Sequence, residues 1–248
     1  MRRFPIICAA VAVLASMPLA AQRGGPPGPP PPTGRAGAPF DLTGYWVSLV
    51  TDDWRYRMLT PPKGNADYLP VNAEARRVMG EWDPAKDEAG GEACRAYGAG
   101  GVMRLPGRLH ITWENDTTLK MDLDAGTQTR RFVFGAPPPA ATPSWQGTSS
   151  ARWQLPGSRG RGPATTGQLV VTTTGLRPGY LRKNGVPYGS NATITEYFVK
   201  IVDEAQEYLA VTIMVDDPQY LQLPYIKTYE YKKEPDASKW SPTPCVAR

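Results

Sequence analysis

The sequence predicts a mainly β protein: an antiparallel meander of about nine strands, closed as a barrel or folded as a sandwich, with one short helix near 72–82. Three observations carry this reading. Short runs of alternating apolar and polar residues recur along the chain, separated by Gly, Pro, Asn and Asp. Only one stretch has helical spacing. Residues 39–248 form one segment without internal repeats, long enough to bury a single sizeable core.

Taken in order, the first strand falls at 45–50. The helix follows: Asn72 can cap it, Ala75, Val78, Met79 and Trp82 share one face, and Pro84 stops it. Further strands are expected at 108–114, 118–124, 127–134, 145–154, 168–174, 192–202, 208–215 and 226–232. The Gly/Arg/Pro-rich stretch 156–167 reads as a mobile hairpin tip. The stretch 180–188 mixes Tyr180, Arg182, Lys183, Asn184 and Tyr188 with Gly185 and Pro187, and reads as a plain turn or a lid.

The ends narrow the setting. Arg2 and Arg3, an apolar run over 6–15, and Pro18-Leu19-Ala20-Ala21 have the form of a cleaved signal peptide, 1–21. A Pro/Gly-rich tail, 22–38, has nothing to bury and is expected to be disordered. Cleavage removes Cys8, so Cys94 and Cys245 remain; in an oxidising compartment these are most simply one disulfide. The periplasm or the exterior is the expected location, with no stable membrane insertion. The formal charge of +5 falls to +3 without Arg2 and Arg3, and to +1 without Arg23 and Arg35. Charge therefore supplies no argument for nucleic acid.

Candidate sites come from strand alternation. Leu109, Ile111 and Trp113 form one face of the 108–114 strand; Leu119, Met121 and Leu123 form one face of the next. Matching these faces pairs Trp113 with Leu119, Ile111 with Met121 and Leu109 with Leu123. His110 then lies opposite Asp122. A turn at Ala125-Gly126 pairs Leu123 with Gln128, Met121 with Arg130 and Leu119 with Phe132. Gln128 and Arg130 thus fall on the apolar face. A buried Arg is rare unless paired. Arg130 is either a structural partner, with Glu196 as its natural counterpart, or a polar handle for a bound carboxylate. Glu196 is internal if Ile194 and Phe198 are; the face bearing Thr195 and Tyr197 is the alternative. Trp113, Trp145, Trp153 and Tyr188 are candidate walls for a flat ligand, with Trp145, Ser149 and Trp153 on one face.

His110 with Asp122, or Glu196 alone, are the candidates for acid–base chemistry. One histidine and no calcium-loop spacing speak against metal, and no phosphate-cradling glycine loop suggests a cofactor.

Several segments together carry a resemblance: Gly44-Tyr45-Trp46, 106–113 (PGRLHITW), 124–130 (DAGTQTR), 143–153 (PSWQGTSSARW), 183–188 (KNGVPY), 195–198 (TEYF) and 217–220 (DPQY). The chain resembles a broad group of exported bacterial proteins of uncharacterised function with a lipocalin-like, calycin-type β-barrel. Gly44-x-Trp46 is similar to the opening motif of lipocalins. The resemblance implies a barrel and export, and assigns no catalytic residue. The leading expectation is a protein that binds a small apolar or aromatic molecule in a barrel cavity through Gln128, Arg130 and Glu196. A barrel hydrolase, lyase or isomerase, and an envelope structural or interaction module, are the alternatives.

Overall fold

The computed structural model describes residues 33–51, 53–137, 142–156 and 166–248. The signal segment 1–21, most of the tail and most of the 156–167 tip lie outside the described residues. The described residues form eleven strands: β1 (Gly44–Leu49), β2 (Arg108–Asn115), β3 (Thr118–Leu123), β4 (Gln128–Phe134), β5 (Thr148–Gln154), β6 (Gln168–Thr174), β7 (Gly179–Arg182), β8 (Val186–Tyr188), β9 (Thr193–Asp203), β10 (Gln206–Asp216) and β11 (Tyr225–Glu234). Nine of them close a barrel in the order β1-β11-β10-β9-β6-β5-β4-β3-β2, and β7 with β8 forms a separate hairpin.

The register expected over 108–134 is the register observed. Leu109, Ile111 and Trp113 face Leu123, Met121 and Leu119, and these in turn face Gln128, Arg130 and Phe132. The inner face buries Trp46, Leu109, Ile111, Met121, Phe132 and Phe198 almost completely. The apolar alternation places them there, because a slip of one residue would turn the whole set to solvent.

The barrel departs from a simple meander in two places. First, β4 and β5 are parallel, paired only over Phe132–Phe134 and Ser149–Ala151. Parallel neighbours need a crossover rather than a tight turn, and the chain between Phe134 and Thr148 supplies it. The expected strand start at 145 therefore moves to Thr148. Gly147 has φ +61, and a Cβ there would lie 2.4 Å from the Thr174 carbonyl oxygen. Second, 180–188 is the β7–β8 hairpin. All its strand residues are buried, so it shows no alternation.

Three helices lie between β1 and β2: α1 (Trp54–Arg57), α2 (Ala73–Glu81) and α3 (Pro84–Ala89). The α2 helix matches the expected one. Pro84 does end it, and then serves as the first residue of α3, where its missing N–H is harmless. The Asn72 side chain accepts a 3.0 Å bond from the Ala75 N–H. Asn72→Ala is expected to cost about 1 kcal/mol in a urea melt; an unchanged midpoint would show that the cap contributes nothing.

This excursion and the β7–β8 hairpin cap the barrel end where β1 leaves and β2 enters. The Cys94–Cys245 disulfide, whose ends have a sequence separation of 151, ties the cap to the C-terminal segment. That segment runs along the outer wall: Trp240 meets Tyr45 and His110 edge-on, the Thr243 N–H donates to the Asp124 carbonyl and the Ala247 N–H to Glu88. Near the other end, the tail expected to be disordered to 38 is structured from Thr33. A short 3-10 helix, Gly34–Gly37, packs on the barrel: Arg35 N–H donates to Asp116 and Trp153 Nε1 donates to the Gly34 carbonyl, 2.7 Å. Among the described residues no helix is long and apolar enough to cross a membrane, which says nothing of strands.

Candidate functional site

The residues singled out from the sequence separate into four places. Arg130 and Glu196 meet inside the barrel. Arg130 donates from Nη1 and Nη2 to the two Glu196 oxygens, at 2.7 and 2.5 Å. Neither side chain is exposed. Strands β5 and β6 lie between β4 and β9 in the sheet, so the pair braces the barrel across its interior. The Arg130 Nη2 also approaches Thr173 Oγ1, at 3.4 Å, which shares a 2.8 Å bond with Ser149. The guanidinium sits over the Phe132 ring. Tyr188 is fully buried beside Gly98 and Gly179, where a Cβ would come within 2.2 and 2.5 Å of its hydroxyl. Burial pushes this phenol well above its ordinary pKa. Arg130 and Glu196 are paired and Tyr188 is packed in the core, its hydroxyl and the Arg130 Nε being without a hydrogen-bond partner among the described residues; Arg130 thus holds a carboxylate of its own chain.

His110 and Asp122 are opposite one another on the outer wall without bonding. Tyr45 stacks on the imidazole at 4.1 Å and 2°, and Trp240 covers its edge. Asp122 instead accepts from Thr129, 2.7 Å, and pairs with Lys120, 2.9 Å. Burial lowers the His110 pKa, with Asp122 opposing. Trp113 and Trp153 flank Phe134 at 5.6 and 5.5 Å, and Phe40 caps Trp153. Trp145 lies outside β5 and does not share its inner face; Arg177 covers its ring at 4.0 Å. With Gln128 and Ser149 it lines an open cleft of about 540 Å³ beside the short β4–β5 pairing. Gln128 is held there by Gly126 and Gln146, next to the disulfide.

A different group stands out at the capped end. Arg57, Arg104 and Arg182 come from α1, from the turn Val102–Arg104 and from β7, and are only 4%, 3% and 3% exposed. The Arg57 Nε donates to the Arg104 carbonyl, 3.0 Å, and its guanidinium lies over Tyr229. Arg182 Nη2 donates to the Asp67 carbonyl, 2.7 Å, and its guanidinium lies over Tyr56 at 4.8 Å. For both Arg104 and Arg182, Nε and Nη1 are buried without a partner. Neither forms an ion pair among the described residues. Burial lowers the Arg104 pKa, and the neighbouring Arg182 charge adds to this against the favourable effect of Tyr229. A buried cation normally has a carboxylate or a full set of acceptors. Arg104 and Arg182 lack both, so they are suited to an anion that is not part of the chain.

Two clefts open on this group. One, of about 480 Å³, is lined by Trp54, Tyr56, Tyr68 and Tyr225 and by the charged residues Asp53, Arg55, Arg182 and Lys227. The other, of about 330 Å³, has Arg57 and Arg104 with Lys183 and Arg248. Sequence reasoning missed all three arginines because they sit in irregular or fully buried segments, where periodicity assigns no face. Only Arg182 fell within a stretch already singled out, 180–188. Set against known protein families, characterised proteins and solved structures, the chain matches none.

Proposed function

We propose that the protein is an exported binding protein for a small organic anion with an aromatic or apolar body, held in the aromatic cleft at the capped rim of the barrel. One observation carries this reading: Arg182, buried with two nitrogens that have no partner among the described residues, is one of the residues lining a cleft that also holds Trp54, Tyr56, Tyr68 and Tyr225, together with Arg55, Lys227 and the carboxylate of Asp53. A guanidinium offers paired N–H groups that match a carboxylate or sulfonate. Trp54 and Tyr68 are 55% and 83% exposed, leaving ring surface for a flat molecule to cover. The polar handle expected at Arg130 moves to Arg182, because Glu196 already occupies Arg130. Acid–base chemistry gains no support, since His110 and Glu196 are both held by structural partners. Export is supported by the form of 1–21 and by the disulfide, which persists in oxidising compartments.

Anilinonaphthalene sulfonate, an aromatic anion, is a direct probe. The mature protein should bind it with quenching of tryptophan emission. Arg182→Gln should weaken binding roughly tenfold or more, the worth of a charge-assisted hydrogen bond. Equal binding by the wild type and Arg182→Gln would sink the proposal. Native mass spectrometry of protein exported in a host cell would then search for the resident molecule.

A further inference from the structure

We infer a second, separate site for a small phosphate-type oxyanion in the cleft that holds Arg57, Arg104 and Lys183. This inference does not rest on Arg182 or on the aromatic cleft. Among the described residues, the lining of this cleft, about 330 Å³, has four cationic side chains, Arg57, Arg104, Lys183 and Arg248, and no Asp or Glu side chain. Thr60, Tyr97 and Thr243 also line it; the Tyr97 hydroxyl accepts from Lys183 and from the Val246 N–H, and the Thr243 hydroxyl donates to the Asp124 carbonyl. Its deepest cation, Arg104, is 3% exposed and keeps Nε and Nη1 without a partner. Lys183 spans the rim: its ammonium donates to the Tyr97 hydroxyl, 3.2 Å, and to the Arg248 main-chain oxygen, 3.0 Å, which leaves its third N–H for a ligand. The Arg57 guanidinium is anchored to the Arg104 carbonyl, so two arginines are fixed side by side before anything binds.

A tetrahedral oxyanion fits this better than a planar carboxylate does. Its oxygens point in several directions and can take donors from separate segments of the lining: Arg104 before β2, Lys183 in the β7–β8 turn and Thr60 after α1. The walls are mostly polar and offer no aromatic slot like that of the neighbouring cleft. The ligand is therefore inorganic phosphate or the phosphoryl group of a small phosphomonoester.

The test uses the mature, disulfide-bonded protein and titrates inorganic phosphate against chloride of equal ionic strength, read by calorimetry and thermal melting. Phosphate at low millimolar concentration should bind and raise the melting temperature. Arg104→Met should fold at least as stably without phosphate, because a buried unpaired charge is gone. It should lose phosphate affinity roughly tenfold or more. Lys183→Gln, at the half-exposed rim, should weaken phosphate several-fold and supplies the test if Arg104→Met fails to fold. Phenyl phosphate binding more tightly than inorganic phosphate assigns the site to a phosphomonoester, and the reverse assigns it to the free ion. Arg182→Gln should lose the aromatic sulfonate and retain phosphate. No phosphate binding, full phosphate affinity in Arg104→Met or in Lys183→Gln, or loss of phosphate in Arg182→Gln would each overturn the second site.

Discussion

Glu196→Ala is expected to destabilise the protein by roughly 3–5 kcal/mol, as measured by urea unfolding. The carboxylate is wholly buried and takes both terminal nitrogens of Arg130. Removing it leaves a guanidinium in the barrel interior with the 3.4 Å contact to Thr173 as its hydrogen bond and the Phe132 ring as its neighbour. Domains of this kind have about 5–15 kcal/mol in all, so the variant should be close to unfolding at moderate temperature. The double substitution Arg130→Met with Glu196→Leu separates pairing from packing. Apolar replacement of a buried ion pair is often neutral or stabilising by about 1–4 kcal/mol, so the double variant should recover most of what the single one loses. A single variant that loses less than about 1 kcal/mol would show that water reaches Arg130. The brace across the interior would then be the wrong description.

Replacing Cys94 and Cys245 with alanine is expected to lower stability by about 4–5 kcal/mol in the chain-entropy account. The size of the effect follows from the 151-residue separation, since the constraint on the unfolded chain grows with the loop it closes. The slope of the urea transition should rise as well, because an unfolded chain without the cross-link exposes more surface. Identical transitions with and without reductant would contradict this.

The β2–β4 register was legible because those strands present one face to the core and one to water. Leu109, Ile111 and Met121 alternate with His110, Lys120 and Asp122, and only one register satisfies both faces. The same logic located Arg130 on the inner face and named Glu196 as its partner. It failed at β7–β8, where Tyr180, Leu181, Val186 and Tyr188 are all buried and alternation carries no information. It also failed at the parallel β4–β5 pair, because the direction of a strand leaves no mark on its composition. The candidate site was the least legible part. Arg57, Arg104 and Arg182 are far apart in the chain. What makes them unusual is burial without ion pairing for Arg104 and Arg182, and that exists only once the cap is folded.

The place of β1 between β2 and β11 has a consequence for the order of events during synthesis. The first strand of the barrel to leave the ribosome has one neighbour early in the chain and its other neighbour last of all. The barrel cannot close until Tyr225–Glu234 has emerged. Until then, β1 and β10 each present an open edge able to pair with another chain. Pairing over such distances is intrinsically slow. A protein built this way spends its early life incomplete and prone to aggregation. The strand Tyr225–Glu234 and then Cys245 are therefore the segments that close the seam last.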